Sequence, residues 1–204
     1  MNEQYFSNNP QSKHNEKQIR TIVNGIELKL MTDSGVFSKD RVDFGSQRLI
    51  ETFSENVNLE EGQSVLELGS GYGPILITLA KAHLNVDFTG VELNERAFEL
   101  AKRNAELNKV GQIKWVLDDA TTVELGGQYD FVLTNPPIRA GKKSVHEFIT
   151  HAYKQLKPNG SLWVVIQKKQ GAPSLLNHME DIFRNVTKVK QDKGYWILMS
   201  EKEV

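Results

Sequence analysis

From Ser64 onward, short apolar runs typical of strands alternate with runs that have helical spacing, and no other feature of the sequence constrains the fold as strongly. The predicted strands span residues 64–69, 86–93, 113–117, 129–135 and 161–167, and the predicted helices span 74–83, 94–108, 144–160 and 173–183. Such alternation predicts a mostly parallel sheet that is covered on both faces. Ligands of these sheets bind beyond the carboxyl ends of the strands, so functional residues are expected there.

Both ends of the chain carry hairpin signals. Asn24-Gly25 separates two apolar-rich runs, which is typical of a type I′ turn, and residues 43–55 have helical spacing. A second predicted hairpin flanks residues 192–194 and closes the chain. Residues up to about 17 are expected to form a frayed tail or a loosely docked arm. We therefore expect an N-terminal extension over 1–60, with the hairpin and helix packed on the core, and a catalytic domain over 61–204.

Composition excludes several classes of protein. The absence of cysteine excludes disulfides, thiolate zinc sites and cysteine nucleophiles. No apolar run approaches the ~20 residues of a membrane span, and the first residues do not resemble a signal peptide, so we expect a cytoplasmic protein with no membrane partner. The formal charge is −7 over residues 1–138 and +6 over 139–204, which indicates a polyanionic partner at the C-terminal half.

The first predicted strand ends in a glycine loop. Gly69, Gly71 and Gly73 alternate with Ser70 and Tyr72 between the strand and a helix that begins with proline. The spacing fits neither a dinucleotide fingerprint nor a P-loop. Glu67 lies two residues before the first glycine, where a carboxylate would repel a pyrophosphate but suit a ligand that carries an ammonium or sulfonium group.

Acidic residues also end the next two strands. Glu92 can accept hydrogen bonds from both hydroxyls of a ribose, with Leu93 beside it. Asp118, Asp119 and Ala120 follow the third strand, where a carboxylate and the backbone can meet an adenine edge. A nucleoside with a ribose, an adenine and a cationic tail is S-adenosylmethionine, which is the cofactor that the sequence predicts.

The fourth strand ends in Asn135-Pro136-Pro137. Each proline fixes φ near about −65° and lacks an N–H donor, so the loop offers rigid carbonyl acceptors together with the side-chain carbonyl of Asn135. Such acceptors can hold an NH₂ group by both hydrogens and aim its nitrogen at a methyl donor. Methyl transfer then requires alignment more than a strong base.

These motifs resemble the class I S-adenosylmethionine-dependent methyltransferases that modify exocyclic or amide nitrogens. Residues 35–46 (GVFSKDRVDFGS) and 135–142 (NPPIRAGK) are similar to the RsmC-type small-subunit rRNA guanine-N2 methyltransferases, including short single-domain relatives. The resemblance implies a Rossmann-like α/β fold with a seven-stranded, mostly parallel sheet and an antiparallel last strand. It also implies site roles: Glu67 and residues 69–73 for the methionyl end, Glu92 and Leu93 for the ribose, Asp119 and Ala120 for the adenine, Asn135, Pro136 and Pro137 for the amine, Phe37 as an apolar lid, and Asp43 as a contact to the amino-acid end.

The sequence departs from this pattern in two respects. Many amino-methyltransferases have an aromatic residue after Asn-Pro-Pro, whereas this chain has Ile138, followed by Arg139, whose guanidinium can stack on a base or bind a phosphate. Larger relatives carry an additional N-terminal domain, so substrate binding here is assigned to lysines, namely Lys142, Lys143, Lys168 and Lys169. His146 and His151 are five residues apart, which is not the spacing of metal ligands on a helix, and no metal is expected.

The resemblance implies methylation of the exocyclic N2 of a guanine in 16S rRNA, with rRNA or the small ribosomal subunit as partner. Three alternatives stay open at this point. They are methylation of a protein glutamine amide, methylation of another nucleic-acid amine, and a catalytically silent interaction module that binds S-adenosylmethionine. A nicotinamide oxidoreductase is disfavoured because Pro74 stands where the dinucleotide fingerprint has its third glycine.

Overall fold

The computed structural model describes residues 13–204. The strands are β1 (Lys17–Val23), β2 (Ile26–Thr32), β3 (Ser64–Leu68), β4 (Asp87–Glu92), β5 (Lys114–Leu117), β6 (Tyr129–Thr134), β7 (Leu156–Gln167), β8 (Thr187–Asp192) and β9 (Tyr195–Glu201). The α-helices are α1 (Phe44–Asn56), α2 (Pro74–Ala82), α3 (Glu95–Leu107), α4 (Lys142–Gln155) and α5 (Ala172–Phe183). Two short 3₁₀ helices cover Ile138–Ala140 and Lys168–Gln170.

Seven strands form one sheet in the order β5-β4-β3-β6-β7-β9-β8. The pairs from β5 to β7 are parallel, whereas β9 runs antiparallel to both β7 and β8. Apolar side chains are buried on both faces of the sheet, in two separate clusters. The predicted fold, a Rossmann-like sheet with an antiparallel last strand and a separate N-terminal hairpin, is confirmed.

The hairpin β1–β2 forms its own two-stranded sheet and packs on α2 and α3. On the edge of β2 that faces away from β1, backbone N–H and C=O groups bond to side chains rather than to another strand. Asn104 of α3 and Asn108, the C-cap residue of that helix, each bond both the N–H and the C=O of one β2 residue, Met31 and Lys29 respectively. The predicted boundary between residues 60 and 61 stays a prediction, and residues 1–12 of the expected arm lie outside the described residues.

One predicted boundary is wrong. The helix expected over residues 144–160 ends at Gln155, and residues 156–160 already belong to β7. Leu156 is already extended, and the helix could not continue far beyond it, because Lys157 directly precedes Pro158 and the residue before a proline avoids helical backbone angles. Gly160 therefore does not end a helix: it lies in an irregular part of the strand, where a Cβ would come within 2.9 Å of the Asp130 carbonyl oxygen.

Among residues 13–204, every helix is too short or too polar to span a bilayer.

Candidate active site

The glycine loop folds tightly against the end of β4. The amides of Gly69 and Ser70 both donate to the carbonyl of Val91, at 2.9 Å each, and the amide of Gly71 donates to the carboxylate of Glu92 at 2.7 Å. Gly73 has φ of +93°, and a Cβ there would lie 2.9 Å from the indole of Trp115. The loop therefore needs glycine both for its left-handed backbone and for the aromatic side chain that packs beneath it.

Glu67 is 2% exposed at the end of β3, and it has an unused acceptor. Its carboxylate accepts from the amide of Leu76 in the first turn of α2, but its Oε2 atom has no hydrogen-bond partner among the described residues. Burial, and then the charge of Glu92, raise the pKa of Glu67 well above its ordinary value of about 4.5. A buried, unpaired carboxylate is costly, and a cationic group from a ligand would relieve that cost.

The acidic residues after β4 and β5 face one cavity of about 250 Å³ above the glycine loop. Glu92 accepts from the amides of Gly71 and Asn94, and Asp119 accepts from the amide and the hydroxyl of Thr121. Burial raises the pKa of Glu92. Of the predicted site residues, ten line this cavity: Phe37, Gly69, Gly71, Glu92, Leu93, Asp119, Ala120, Asn135, Pro136 and Pro137.

An adjoining recess of about 40 Å³ is lined by further predicted residues, Asp43, Glu67 and Ser70. The buried hydroxyl of Ser70, like Oε2 of Glu67, has no hydrogen-bond partner among the described residues. Orphaned polar atoms in a recess that opens beside the larger cavity fit the amino-acid end of a ligand whose nucleoside occupies that cavity. The donor set therefore suits S-adenosylmethionine.

Asn135 is held in one orientation at the mouth of both cavities. Its Nδ2 atom donates to Oδ2 of Asp43 and to Oγ of Ser46, at 3.0 Å each. A carboxylate only accepts hydrogen bonds, so the amide nitrogen must face Asp43, and the side-chain carbonyl remains as an acceptor. Asp43 also caps α1 by accepting from the amide of Ser46 at 3.0 Å. The start of α1 thus fixes the side chain that follows β6.

The residues predicted to bind substrate do not line either cavity. Ile138 and Arg139 belong to the 3₁₀ helix after the two prolines, and Lys142 opens α4. Ile138 is half-buried and packs on the core cluster beneath the sheet, while Arg139 and Lys142 are exposed. These side chains lie beside the mouth of the cavity rather than inside it.

The position of Phe37 depends on a residue that the sequence did not single out. Tyr72, between two glycines of the loop, is 2% exposed, and its hydroxyl donates to the carbonyl of Ser38 at 3.2 Å. This bond ties residues 37 and 38 to the glycine loop, and Phe37 lines both cavities. Ser46 was equally unforeseen, because its contact with Asn135 joins positions 89 residues apart.

A sheet whose carboxyl edge combines a glycine loop, a buried carboxylate, a nucleoside-sized cavity and an Asn-Pro-Pro loop is typical of S-adenosylmethionine-dependent methyltransferases. The family model described as "Methyltransferase small domain" matches residues 27–199. The chain belongs to this family of class I methyltransferases, of the RsmC type, and its cofactor is S-adenosylmethionine.

Known relatives agree with this assignment. The chain is 41% identical to the uncharacterized protein YbxB of Bacillus subtilis, over 99% of this chain and 100% of that one. It is 32% identical to ribosomal RNA small subunit methyltransferase C of Hahella chejuensis, over 69% of this chain but 41% of that protein. The RsmC-type relatives are thus about twice as long as the part that this chain spans. The 16S rRNA N2 G1207 methyltransferase (RsmC) of Thermus thermophilus, solved with AdoMet and guanosine, has the same fold, with a TM-score of 0.79 at 24% identity over 95% of this chain and 52% of that one.

Proposed function

We propose that this methyltransferase transfers a methyl group to the exocyclic N2 of a guanine in 16S rRNA. The relatives named ribosomal RNA small subunit methyltransferase C support this substrate class, and so does the positive charge of the C-terminal half of the chain. The single observation that carries the proposal is the fixed amide of Asn135, whose carbonyl is left to accept a hydrogen from a substrate amine.

We assign the cofactor contacts as follows. Glu67 receives the ammonium group of the methionyl end, because its buried Oε2 has no other partner. The backbone of residues 69–73 and the hydroxyl of Ser70 surround the same end. Glu92 accepts from the ribose hydroxyls, while Asp119 and Ala120 meet the adenine. Phe37 covers the cofactor as an apolar lid.

Bound S-adenosylmethionine supplies an electrophilic methyl group. The protein supplies alignment: Oδ1 of Asn135 and the carbonyl oxygens of the proline loop accept the two hydrogens of the guanine amine. These hydrogen bonds reduce the delocalisation of the nitrogen lone pair into the base and direct it toward the methyl group. When the N–C bond forms and the C–S bond breaks, the nitrogen releases one hydrogen as a proton past these acceptors to solvent.

The test is Asn135→Ala, assayed by transfer of tritiated methyl groups to unmodified 16S rRNA and to immature small subunits. We expect turnover to fall about 100-fold or more, as is common when a single preorganised hydrogen-bonding group is removed, with S-adenosylhomocysteine affinity unchanged within about twofold. Asn58→Ala, at an exposed position in the loop before β3 and so at the opposite edge of the sheet from the site, serves as the control. Label in protein substrates but not in rRNA would contradict the proposal, and equal activity of the variant would remove Asn135 from the mechanism.

A further inference from the structure

Three lysines cluster at the carboxyl edge of the sheet, beyond the strand next to Asn135. Lys168 and Lys169 follow β7, and Lys193 lies in the turn before β9. The amide of Lys168 donates to the carbonyl of Gly194 at 2.7 Å, which joins the two segments. We call Lys168, Lys169 and Lys193 the lysine rim.

The charges of the lysine rim are not neutralised within the part of the chain that the structure describes. All three residues are exposed, and over residues 13–204 no carboxylate lies within 4.0 Å of their ammonium groups. By contrast, Lys157 and Lys190 are paired with Asp130 and Glu55. Unpaired surface cations that converge on one edge of a site attract polyanions and cost nothing in broken ion pairs when a phosphate binds.

The lysine rim is linked physically to the residues that orient the amine-binding loop. The ammonium of Lys193 lies 5.0 Å from the centre of the Phe44 ring, a cation–π contact that limits where this side chain points. Phe44 follows Asp43, which holds Asn135, and its ring packs on Tyr195 at 5.4 Å between centroids. Lys193 is therefore held near the point where a substrate amine would be bound.

The opposite side of the cavity has the opposite charge. Asp118 and Asp119 follow β5, and Asp119 lines the cavity on that side. Asp118 is exposed, so its charge faces an approaching ligand. A phosphodiester chain would be repelled there and attracted at the lysine rim, so the charge pattern favours one path for such a chain across the mouth of the site.

We propose that the lysine rim binds the RNA phosphates next to the target nucleotide, so that the RNA backbone crosses the site over the ends of β7 and β9 and avoids the adenine side. This inference rests on the proposed function for its substrate class. It adds the path of the substrate and three binding residues, of which Lys193 was not expected from the sequence.

The test compares two triple variants of the full chain. The rim variant carries Lys168→Gln, Lys169→Gln and Lys193→Gln. The control carries Lys109→Gln, Lys114→Gln and Lys154→Gln, three exposed lysines near the amino ends of the strands. Binding to unmodified 16S rRNA transcribed in vitro is measured by filter retention between 50 and 300 mM salt. We expect the rim variant to bind at least about tenfold more weakly and the magnitude of its log–log salt slope to fall by about 2, as for the loss of three phosphate contacts on single-stranded nucleic acid.

The same proteins are assayed for S-adenosylhomocysteine affinity, which we expect to be unchanged in both variants. A rim variant that binds rRNA with the affinity and salt slope of the wild type, or with losses no larger than those of the control, would overturn the inference. So would a wild-type protein with no salt-dependent rRNA binding. If the wild type binds rRNA through the rim but transfers no methyl group to it, the proposed function fails and the rim inference stands.

Discussion

Nδ2 of Asn135 lies 3.0 Å from Oδ2 of Asp43, so the residue that follows β6 is oriented by the residue that caps α1. The bond is charge-assisted and therefore stronger than a bond between neutral groups. It makes Asp43 a positioning residue for the Asn-Pro-Pro loop, which we propose binds the substrate amine, besides its position on the recess that we assign to the amino-acid end of the cofactor.

Asp43→Asn separates these two roles. Asparagine retains the ability to cap α1 but loses the charge, so Asn135 is held less firmly and can rotate its amide. We expect kcat to fall about 10- to 100-fold, which corresponds to about 1.4 to 2.8 kcal/mol, while S-adenosylhomocysteine affinity changes less than threefold. Steady-state kinetics and calorimetry measure the two quantities. A loss of cofactor affinity as large as the loss of kcat would assign Asp43 to the cofactor instead.

Glu67→Gln is expected to stabilise the ligand-free protein while weakening cofactor binding. The pKa of Glu67 is raised by burial and by Glu92, so the native state binds more protons than the unfolded chain above about pH 4.5. The contribution of Glu67 to the free energy of unfolding is therefore fully present below about pH 4.5, and it is lost as the pH rises through the raised pKa of the native state. Glutamine does not titrate, and it offers no charge to the ammonium group of a ligand.

We therefore expect the melting temperature of ligand-free Glu67→Gln to exceed that of the wild type by an amount that grows between pH 5 and pH 8, reaching about 2–4 °C for roughly 1 kcal/mol. Affinity for S-adenosylmethionine should fall at least about tenfold. Wild-type binding should also release protons, measured by calorimetry in buffers of different ionisation enthalpy. Glu61→Gln, at an exposed position, is the control, and a melting difference independent of pH would refute the assignment.

Tyr72→Phe removes the hydroxyl that ties the Phe37 segment to the glycine loop. The lost bond to the carbonyl of Ser38 corresponds to about 0.5–1.5 kcal/mol, so the Phe37 segment, which we propose as an apolar lid, should open more often. We expect S-adenosylhomocysteine to dissociate about 3- to 10-fold faster in stopped-flow experiments. Tyr153→Phe, on α4, should leave the rate unchanged, and an unchanged rate for both variants would mean that Tyr72 does not hold the lid.

Asn104→Ala tests how the hairpin is attached. Asn104 is fully buried, accepts from the amide of Met31 at 2.6 Å, and donates to the carbonyls of Met31 and Tyr72 at 3.0 Å each. Its removal leaves buried backbone groups without partners, and we expect urea denaturation to show a loss of about 2–4 kcal/mol. Lys102→Ala, exposed on the same helix, is the control. A loss below about 1 kcal/mol would show that water or repacking replaces the amide.

The sequence was most informative where structure is decided locally. The glycine loop and the two prolines each impose a backbone at one point of the chain, and apolar periodicity locates the strands between them, so the strand ends with Glu67, Glu92 and Asn135 could be predicted to meet at one edge. The end of the helix at Gln155 was not predicted, because Pro158 and Gly160 were taken as the signal that ends it. In the structure the backbone is already extended at Leu156, before the proline.

Residues that act across distant segments could not be found in this way. Ser46 contacts Asn135 over 89 positions and Asn104 contacts Met31 over 73, and neither has a local signal. The role of Tyr72 could not be predicted from its position between two glycines, because its hydroxyl donates to the backbone carbonyl of Ser38, 34 positions away. Such contacts depend on which helix packs on which loop, which a single sequence does not specify.

The side chains that bind the outer edge of β2 also prevent this strand from pairing with a strand of another chain. A strand with free outward N–H and C=O groups is a template for pairing with another chain. Here Lys81 donates to the carbonyl of Glu27. The side chain of Asn108 bonds both the N–H and the C=O of Lys29, and that of Asn104 bonds both the N–H and the C=O of Met31. These contacts block the addition of a strand along this edge from Glu27 to Met31, and a slip of one residue would misalign all three contacts at once.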